Sequence, residues 1–181
     1  TARVFLSSLA VISITAGLMG GCSKDEPKSA GVELEIVPGV LPAVVKQIPL
    51  ASVFSQLLEA SSLKATTSTT TKFTYFVPTD QAIGAYLSAK GMTKEALIAD
   101  ALQLNTFVGD HIASGELTAT NLLNRTGESL TMVNGSSLVI GKSEESQVTL
   151  KNDGMAEATL IAIDVPATNG LLQLVNTVLA P

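Results

Sequence analysis

The chain has few of the residue types on which most catalytic, metal-binding and sugar-binding sites depend. Its 181 residues include one cysteine, one histidine and no tryptophan, and aromatic residues make up 4% of the chain. A single cysteine excludes an internal disulfide, so the fold must be stabilised by packing. The scarcity of aromatic rings argues against a carbohydrate-binding platform, because such platforms stack sugars on aromatic side chains.

Basic residues are also scarce, and they are not clustered. The formal net charge is −5, and Lys24 and Lys28 are interrupted by Asp25 and Glu26. Proteins that bind nucleic acid need clusters of Lys and Arg to neutralise phosphates. The sequence therefore predicts no nucleic-acid partner.

Motifs for enzymatic chemistry are missing as well. His111 is the natural general base because it is the only histidine. No Gly-x-Ser-x-Gly elbow, no His- or Cys-rich metal spacing and no glycine-rich phosphate loop occurs in the sequence. Asn152-Asp153 falls far short of a calcium site. We therefore predict a protein that is not an enzyme and that has no catalytic residue, no cofactor and no metal.

The start of the chain has the features of an export signal. A single basic residue, Arg3, precedes an almost wholly apolar or small segment, Val4–Gly21. The segment ends at Cys22 in the manner of a bacterial lipobox, which predicts lipidation of Cys22; an unmodified thiol is the alternative. A second interpretation of residues 1–21 is an uncleaved membrane helix, at the short end of what spans a bilayer. Residues 22–38 are charged and non-periodic, which predicts a linker.

Helical periodicity dominates the first half of the remaining chain, and each predicted helix has a start or stop signal. The predictions are a helix from Leu41, a helix capped by Ser52, a helix over Gln81–Lys90 stopped by Gly91, one longer helix capped by Thr93 with Leu97, Ala101, Leu104 and Val108 on one stripe, and a short helix over Ala119–Leu123 capped by Thr118. A polar surface loop is predicted for Thr66–Thr71.

From Ser129 onward the apolar period drops to two residues, which predicts strands. The predicted strands cover Leu130–Met132, Leu138–Ile140, Val148–Leu150, Ala156–Ile163 and Leu171–Leu179. Asn134-Gly135 is a two-residue hairpin signal. Helices followed by a meander of strands predict an α+β fold in which the helices are segregated from the sheet.

The segment Phe73–Ala82 connects these two halves. An alternating apolar strand runs into Pro78, and either Thr79 or Asp80 can then cap the following helix. Apolar side chains occur on both faces of this strand, so we expect it to be sandwiched between two layers. Phe76 and Pro78 are then core and hinge residues rather than part of a ligand-binding stripe.

Three segments in this order resemble signatures of the fasciclin-type (FAS1) domain. Phe73–Ala82 resembles the first signature, and Asn169–Pro181 resembles the second. Between them, His111 and the following Gly115–Ala119 resemble the family's middle Tyr-His segment. The resemblance implies a wedge of two β-sheets with helices packed at one side, and we assign residues 39–181 to this domain.

The resemblance also implies roles for individual residues. The residues carried over are Phe73, Phe76, Pro78, Thr79, Asp80, His111, Asp164, Val165, Asn169 and Gly170. His111 would be a structural hydrogen-bonding residue. Asp164-Val165 occupies the place of an Asp-Ile pair that lies in adhesion segments of animal relatives; alternatively, Asp164 braces a loop ahead of Pro166. The chain departs from the pattern at Asp110, where the family has Tyr, at Gln173, where His is usual, and at Asn176, where Asp is usual.

Together these features predict a protein-binding or adhesion module of the bacterial cell envelope, periplasmic or on the outer-membrane surface. Its partners would be other proteins, and its membrane attachment would be the lipidated Cys22 or the N-terminal helix. The alternative is an accessory extrinsic subunit of a membrane protein complex, held by an uncleaved N-terminal helix.

Overall fold

A computed structural model of the chain describes residues 2–4, 34–36, 39–152 and 156–181. The helices are α1 (Leu41–Val45), α2 (Ser52–Ala60), α3 (Leu63–Thr67), α4 (Asp80–Ala89), α5 (Lys94–Ala99), α6 (Ala101–Gly109) and α7 (Ala119–Asn124), with a 3-10 turn at Pro49–Ala51. The strands are β1 (Ala2–Val4), β2 (Leu34–Ile36), β3 (Phe73–Pro78), β4 (Ile112–Ser114), β5 (Ser129–Thr131), β6 (Ser137–Lys142), β7 (Val148–Lys151), β8 (Ala158–Ala167) and β9 (Gly170–Val175). Most helices precede most strands, as expected for the predicted α+β class.

Strands β3 to β9 form one continuous seven-stranded sheet in the order β4-β3-β9-β8-β7-β6-β5. Strand β3 pairs in parallel with β9 and antiparallel with β4. Strand β8 joins the two halves of the sheet: Ala158 and Thr159 pair with β7, and the stretch Leu160–Ala167 pairs with β9 with two register shifts. A β-bridge between Ala113 of β4 and Met132, which follows β5, brings the two edge strands of the sheet together. The two sheets that the resemblance implied are therefore two halves of a nearly closed sheet that share β8.

Strand β3 separates two hydrophobic clusters, as its alternating sequence predicted. Phe73, Tyr75 and Val77 belong to the larger cluster, which includes residues of the helices. Phe76 belongs to the second cluster, which includes residues of β5 to β8. All four side chains are buried. Since full burial of one large apolar side chain contributes roughly 1.5–3 kcal/mol, the burial of these four side chains stabilises both clusters.

The helical stretch after Thr93 differs from the prediction of one long helix. Thr93 caps α5 as predicted, but the chain leaves the helical conformation at Asp100 and a second helix, α6, begins. The Asp100 carboxylate accepts hydrogen bonds from the backbone N–H groups of Leu102 and Gln103 at 3.1 and 3.0 Å, which makes it an N-cap. Ala101, predicted on the buried stripe, is exposed. The spacing of apolar residues continues without interruption from α5 into α6, so this spacing alone could not show the break at Asp100.

Some other local predictions are confirmed, but the polar surface loop predicted for Thr66–Thr71 overlaps α3, which ends at the buried Thr67. Thr118 accepts the backbone N–H of Asn121 and caps α7, and Gly91 has a φ of +63° just after α4. Asn134-Gly135 lies in the turn between β5 and β6, but the connection runs from Met132 to Ser136, so the prediction of a two-residue loop is wrong; Gly135 has a φ of +89° and Asn134 does not have a positive φ. Strand β4 was not predicted, and β9 ends at Val175 rather than at Leu179.

The N-terminal predictions fall almost entirely outside the described residues. Cys22 lies there, as do most of residues 1–21 and 22–38. The described part is a short antiparallel pair, Ala2–Val4 with Leu34–Ile36, so the backbone described at residues 2–4 is strand rather than helix. Among the helices that the structure describes, none combines the length and the hydropathy of a transmembrane span.

Candidate functional site

His111 is completely buried and both of its ring nitrogens are hydrogen-bonded within the chain. Nδ1 lies 2.7 Å from the carbonyl oxygen of Phe107, and Nε2 accepts the backbone N–H of Leu179 at 3.0 Å. The ring is therefore neutral, with its proton on Nδ1. Burial lowers the pKa of His111 to about 4. This arrangement gives His111 the structural role that the resemblance implied and leaves no nitrogen for acid–base chemistry.

Asn169 connects three parts of the chain that are distant in sequence. Its Oδ1 accepts the backbone N–H of Leu41 at 2.7 Å. Its Nδ2 donates to the carbonyl oxygens of Thr67 and Thr69 at 2.6 and 3.1 Å. The side chain is buried, so each of these bonds satisfies a group that water cannot reach easily. Asn169 thus fixes α1 and the end of α3 to the turn before β9.

Thr79 and Asp80 cap two different helices. Thr79 Oγ1 accepts the backbone N–H of Ala82 at 3.2 Å and caps α4. Asp80, the first residue of α4, accepts the backbone N–H of Val53 with Oδ1 at 2.7 Å and the hydroxyl of Ser52 with Oδ2 at 2.6 Å. Ser52 was predicted to be the N-cap of α2, but it is the first helical residue, and no side chain at the N-cap position bonds. A carboxylate from another helix satisfies this helix end instead.

Asp164 is held in an unusual backbone conformation by Gln173. Its φ is +57°, a region that Asp tolerates better than most residues. The backbone N–H of Asp164 donates to Gln173 Oε1 at 2.9 Å, and Asp164 Oδ1 accepts from Gln173 Nε2 at 2.8 Å. The same Oδ1 accepts the backbone N–H of Ala119 at 2.9 Å, and Gln173 Nε2 also donates to the carbonyl of Leu117 at 2.9 Å. Asp164 therefore braces the start of α7.

In the sequence, Gln173 stands out only as a departure from the family pattern, and its hydrogen bonds with Asp164 depend on the fold. Gln173 is fully buried. Its hydrogen bonds with Asp164 and Leu117 join it to residues that are at least nine positions away in the sequence. The only available signal was the polar residue inside an apolar strand, which demands buried partners.

Next to Asp164, strand β8 presents one large apolar side chain, Ile163, to solvent. Ile163 is 50% exposed and Val165 is buried. A groove of about 250 Å³ lies between β8, α7 and the turn before β7, and Ile161, Ile163 and Leu123 are among its lining residues. We call these three residues the β8 face. Ile163 is its exposed residue, whereas Ile161 and Leu123 are partly buried. The backbone beside Ile163 is fixed by the Asp164–Gln173 bonds.

The predicted residues do not meet in one reactive site. Phe73, Phe76 and Pro78 are buried in the core, and the polar residues bond to separate backbone segments. Over residues 39–152 and 156–181, no group of three or more His, Cys, Asp or Glu side chains is placed to hold a metal ion.

Comparison with known proteins agrees with this fold. A family model described as the Fasciclin domain matches residues 49–181. A solved structure of a FAS1 domain pair from the insect cell adhesion molecule fasciclin I matches with a TM-score of 0.70 and 19% sequence identity, covering 80% of this chain and 52% of that one. A search of curated protein sequences gave no match. At 19% identity the structural likeness shows the fold alone, and this chain spans about half of the domain pair. The family match covers most of the chain, which therefore belongs to the fasciclin domain family.

Proposed function

We propose that this chain is a non-catalytic protein-binding or adhesion module displayed in a bacterial cell envelope, and that the β8 face is its contact surface. One observation carries the proposal. The polar signature residues His111, Asn169 and Asp164 are bonded within the chain, whereas Ile163 beside Asp164 is half exposed. The signature thus builds a rigid support, and the residue available to a partner is apolar.

Rigidity of the support matters for binding. The hydrogen bonds of Gln173 with Asp164 fix the backbone next to Ile163 in the free protein. A surface that is already ordered loses less conformational entropy when a partner binds. A stable interface covers about 800 Å² on each partner, so the β8 face would be the central apolar part of a larger contact with a polar rim.

The place of Asp164-Val165 in the sequence supports the same surface. The pair corresponds to the Asp-Ile pair of the adhesion segments in animal relatives. Val165 is buried and Asp164 is engaged with Ala119 and Gln173. Both residues would therefore shape the contact surface, and the exposed neighbour Ile163 would touch the partner.

Membrane attachment would come from the lipidated Cys22. The apolar segment Val4–Gly21 would be removed as an export signal, and residues 23–38 would connect the lipid to the domain. This arrangement would put the domain outside the cytoplasm, where fasciclin domains are typically found.

Gentle detergent extraction of the native protein, with and without a cleavable cross-linker, tests this proposal. We expect an intact mass that begins at an acylated Cys22. We also expect no stable companion without the cross-linker and discrete protein adducts with it. The Cys22→Ser variant should lack the lipid mass. A mass that retains residues 1–21, together with stoichiometric membrane subunits, would contradict the proposal and identify an accessory subunit of a membrane complex.

A further inference from the structure

A second cavity, of about 440 Å³, lies between α4, α5, α6 and the residues after β9. None of its lining residues is shared with the groove of the β8 face. Its apolar walls include Met92, Leu97, Phe107 and Ala180. A volume of this size is within the range of small-molecule and side-chain sites in proteins.

One carboxylate at this cavity has an oxygen without a partner. Asp110 lines the cavity and is 2% exposed. Its Oδ1 accepts from Asn134 Nδ2 at 2.8 Å, whereas its Oδ2 is buried and has no hydrogen-bond partner among residues 39–152 and 156–181. A buried polar atom without a hydrogen-bond partner destabilises the fold, and the cost is larger when the group is charged. Such an atom is therefore informative about a missing donor.

The charged and aromatic groups around Asp110 indicate which donor fits. Lys90 is the only cation among the lining residues, and its Nζ lies 5.7 Å from the ring centroid of Tyr86 rather than in a salt bridge with Asp110. The pKa of the Tyr86 hydroxyl is raised by partial burial and, to a smaller extent, by the negative charge of Asp110. Tyr86 and Phe107 lie with their ring centroids 5.4 Å apart, and both are lining residues, so aromatic rings as well as a carboxylate line the cavity.

We propose that this cavity binds a cationic group on a short apolar stem, an alkylammonium or alkylguanidinium ion, with Asp110 as its counter-ion. The stem packs against the apolar walls, and the N–H groups donate to Asp110 Oδ2 as charge-assisted hydrogen bonds. The rings of Tyr86 and Phe107 add a cation–π attraction. The same chemistry is carried by a free organic cation and by a Lys or Arg side chain of another protein.

Titration of the ¹⁵N-labelled protein with n-pentylammonium chloride and with n-butylguanidinium chloride tests the proposal by NMR. n-Pentanol at the same ionic strength is the neutral control. We expect saturable shifts at the amides of Leu97, Phe107 and Asp110 with both cations, and at least tenfold weaker binding of n-pentanol. Equal binding of n-pentanol and n-pentylammonium would overturn the proposal.

Variants of the protein separate the contribution of the Asp110 carboxylate to binding from that of the apolar walls. Asp110→Asn keeps an oxygen that can accept the hydrogen bond from Asn134, and it should weaken the binding of both cations at least tenfold. Lys90→Gln removes a positive charge that competes with the ligand, so it should strengthen the binding of both cations. Glu95→Gln, a matched loss of one carboxylate on α5, should leave binding within twofold. Unchanged binding in Asp110→Asn would contradict the proposal, and if that variant does not fold, Lys90→Gln and the n-pentanol comparison decide.

Titrations with short peptides show whether the cation is a small molecule or a side chain of another protein. Acetyl-Gly-Arg-Gly-amide and acetyl-Gly-Lys-Gly-amide are compared with acetyl-Gly-norleucine-Gly-amide and with the free cations. Peptide binding at least tenfold tighter than that of the free cations assigns the cavity to a side chain of a partner protein. Binding of the free cations that is equal or tighter assigns it to a small molecule. Absence of binding by both classes of cation overturns the proposal.

Discussion

Replacement of Gly170 by alanine should lower the free energy of unfolding by more than about 4 kcal/mol, a loss at the extreme of single substitutions. Gly170 has a φ of +149°, which L-residues rarely adopt. A Cβ at this position would lie 1.8 Å from the carbonyl oxygen of Phe73 and 2.8 Å from its carbonyl carbon. These are backbone atoms of the neighbouring strand, since Gly170 and Phe73 are paired in the parallel β3–β9 ladder. Chemical denaturation of the purified variant measures the loss.

Gly84→Ala is the matched control for this experiment. Gly84 lies inside α4, and a Cβ there would have no heavy atom within 4 Å. Alanine is favoured over glycine inside a helix by roughly 0.5–1 kcal/mol, so this variant should be slightly more stable than the wild type. If Gly170→Ala is as stable as Gly84→Ala, the close approach of β9 to β3 is wrong.

Acidification from pH 7.5 to pH 5 should lower the free energy of unfolding by about 2 kcal/mol through His111 alone. The pKa of His111 is lowered from 6.5 to about 4 in the folded protein. The unfolded chain therefore binds a proton at a higher pH than the folded one, and protonation favours unfolding. The stability contributed by neutral His111 is fully present above pH 6.5 and is lost as the pH falls from there to about 4. Denaturant unfolding at intervals of half a pH unit measures this slope.

The pH dependence between pH 7.5 and 5 is easy to interpret because His111 is the only histidine in the sequence. His111→Gln should be less stable at pH 7.5, because the hydrogen bond from the Leu179 N–H to Nε2 is lost. Its stability should change little between pH 7.5 and 5. The same slope in the variant and in the wild type would show that another group titrates and that His111 is not buried in the neutral form.

Much of the fold could be predicted from local patterns. Strand β3 alternates so that its two faces reach two clusters, and Thr79, Thr93 and Thr118 each accept a backbone N–H three residues on. These features depend on neighbours in sequence, so residue type and spacing are sufficient to predict them.

Features that depend on distant partners were missed. The predicted cap Ser52 is replaced in that role by Asp80, a residue 27 positions away from the backbone N–H that it accepts. Strand β4 is three residues long, too short for an alternating pattern, and it is fixed by pairing with β3.

The candidate surfaces also depend on tertiary structure. The bonds of Gln173 to Asp164 and Leu117 link β9, β8 and the segment before α7. The cavity at Asp110 forms only when α4, α5, α6 and the final residues pack together. The sequence marked Gln173 and Asp110 as departures from the family pattern, but their surroundings could not be read from it.

Photo-cross-linking from position 163 of the full-length protein, in the cells that produce it, tests whether the β8 face binds a partner. A photoreactive amino acid is placed at Ile163 on the β8 face and, as a matched control, at Val139 on β6; these side chains are 50% and 48% exposed. We expect a discrete protein adduct from position 163 and at least tenfold less from position 139. An adduct from position 139 with none from position 163 would contradict the assignment of the β8 face as the binding surface.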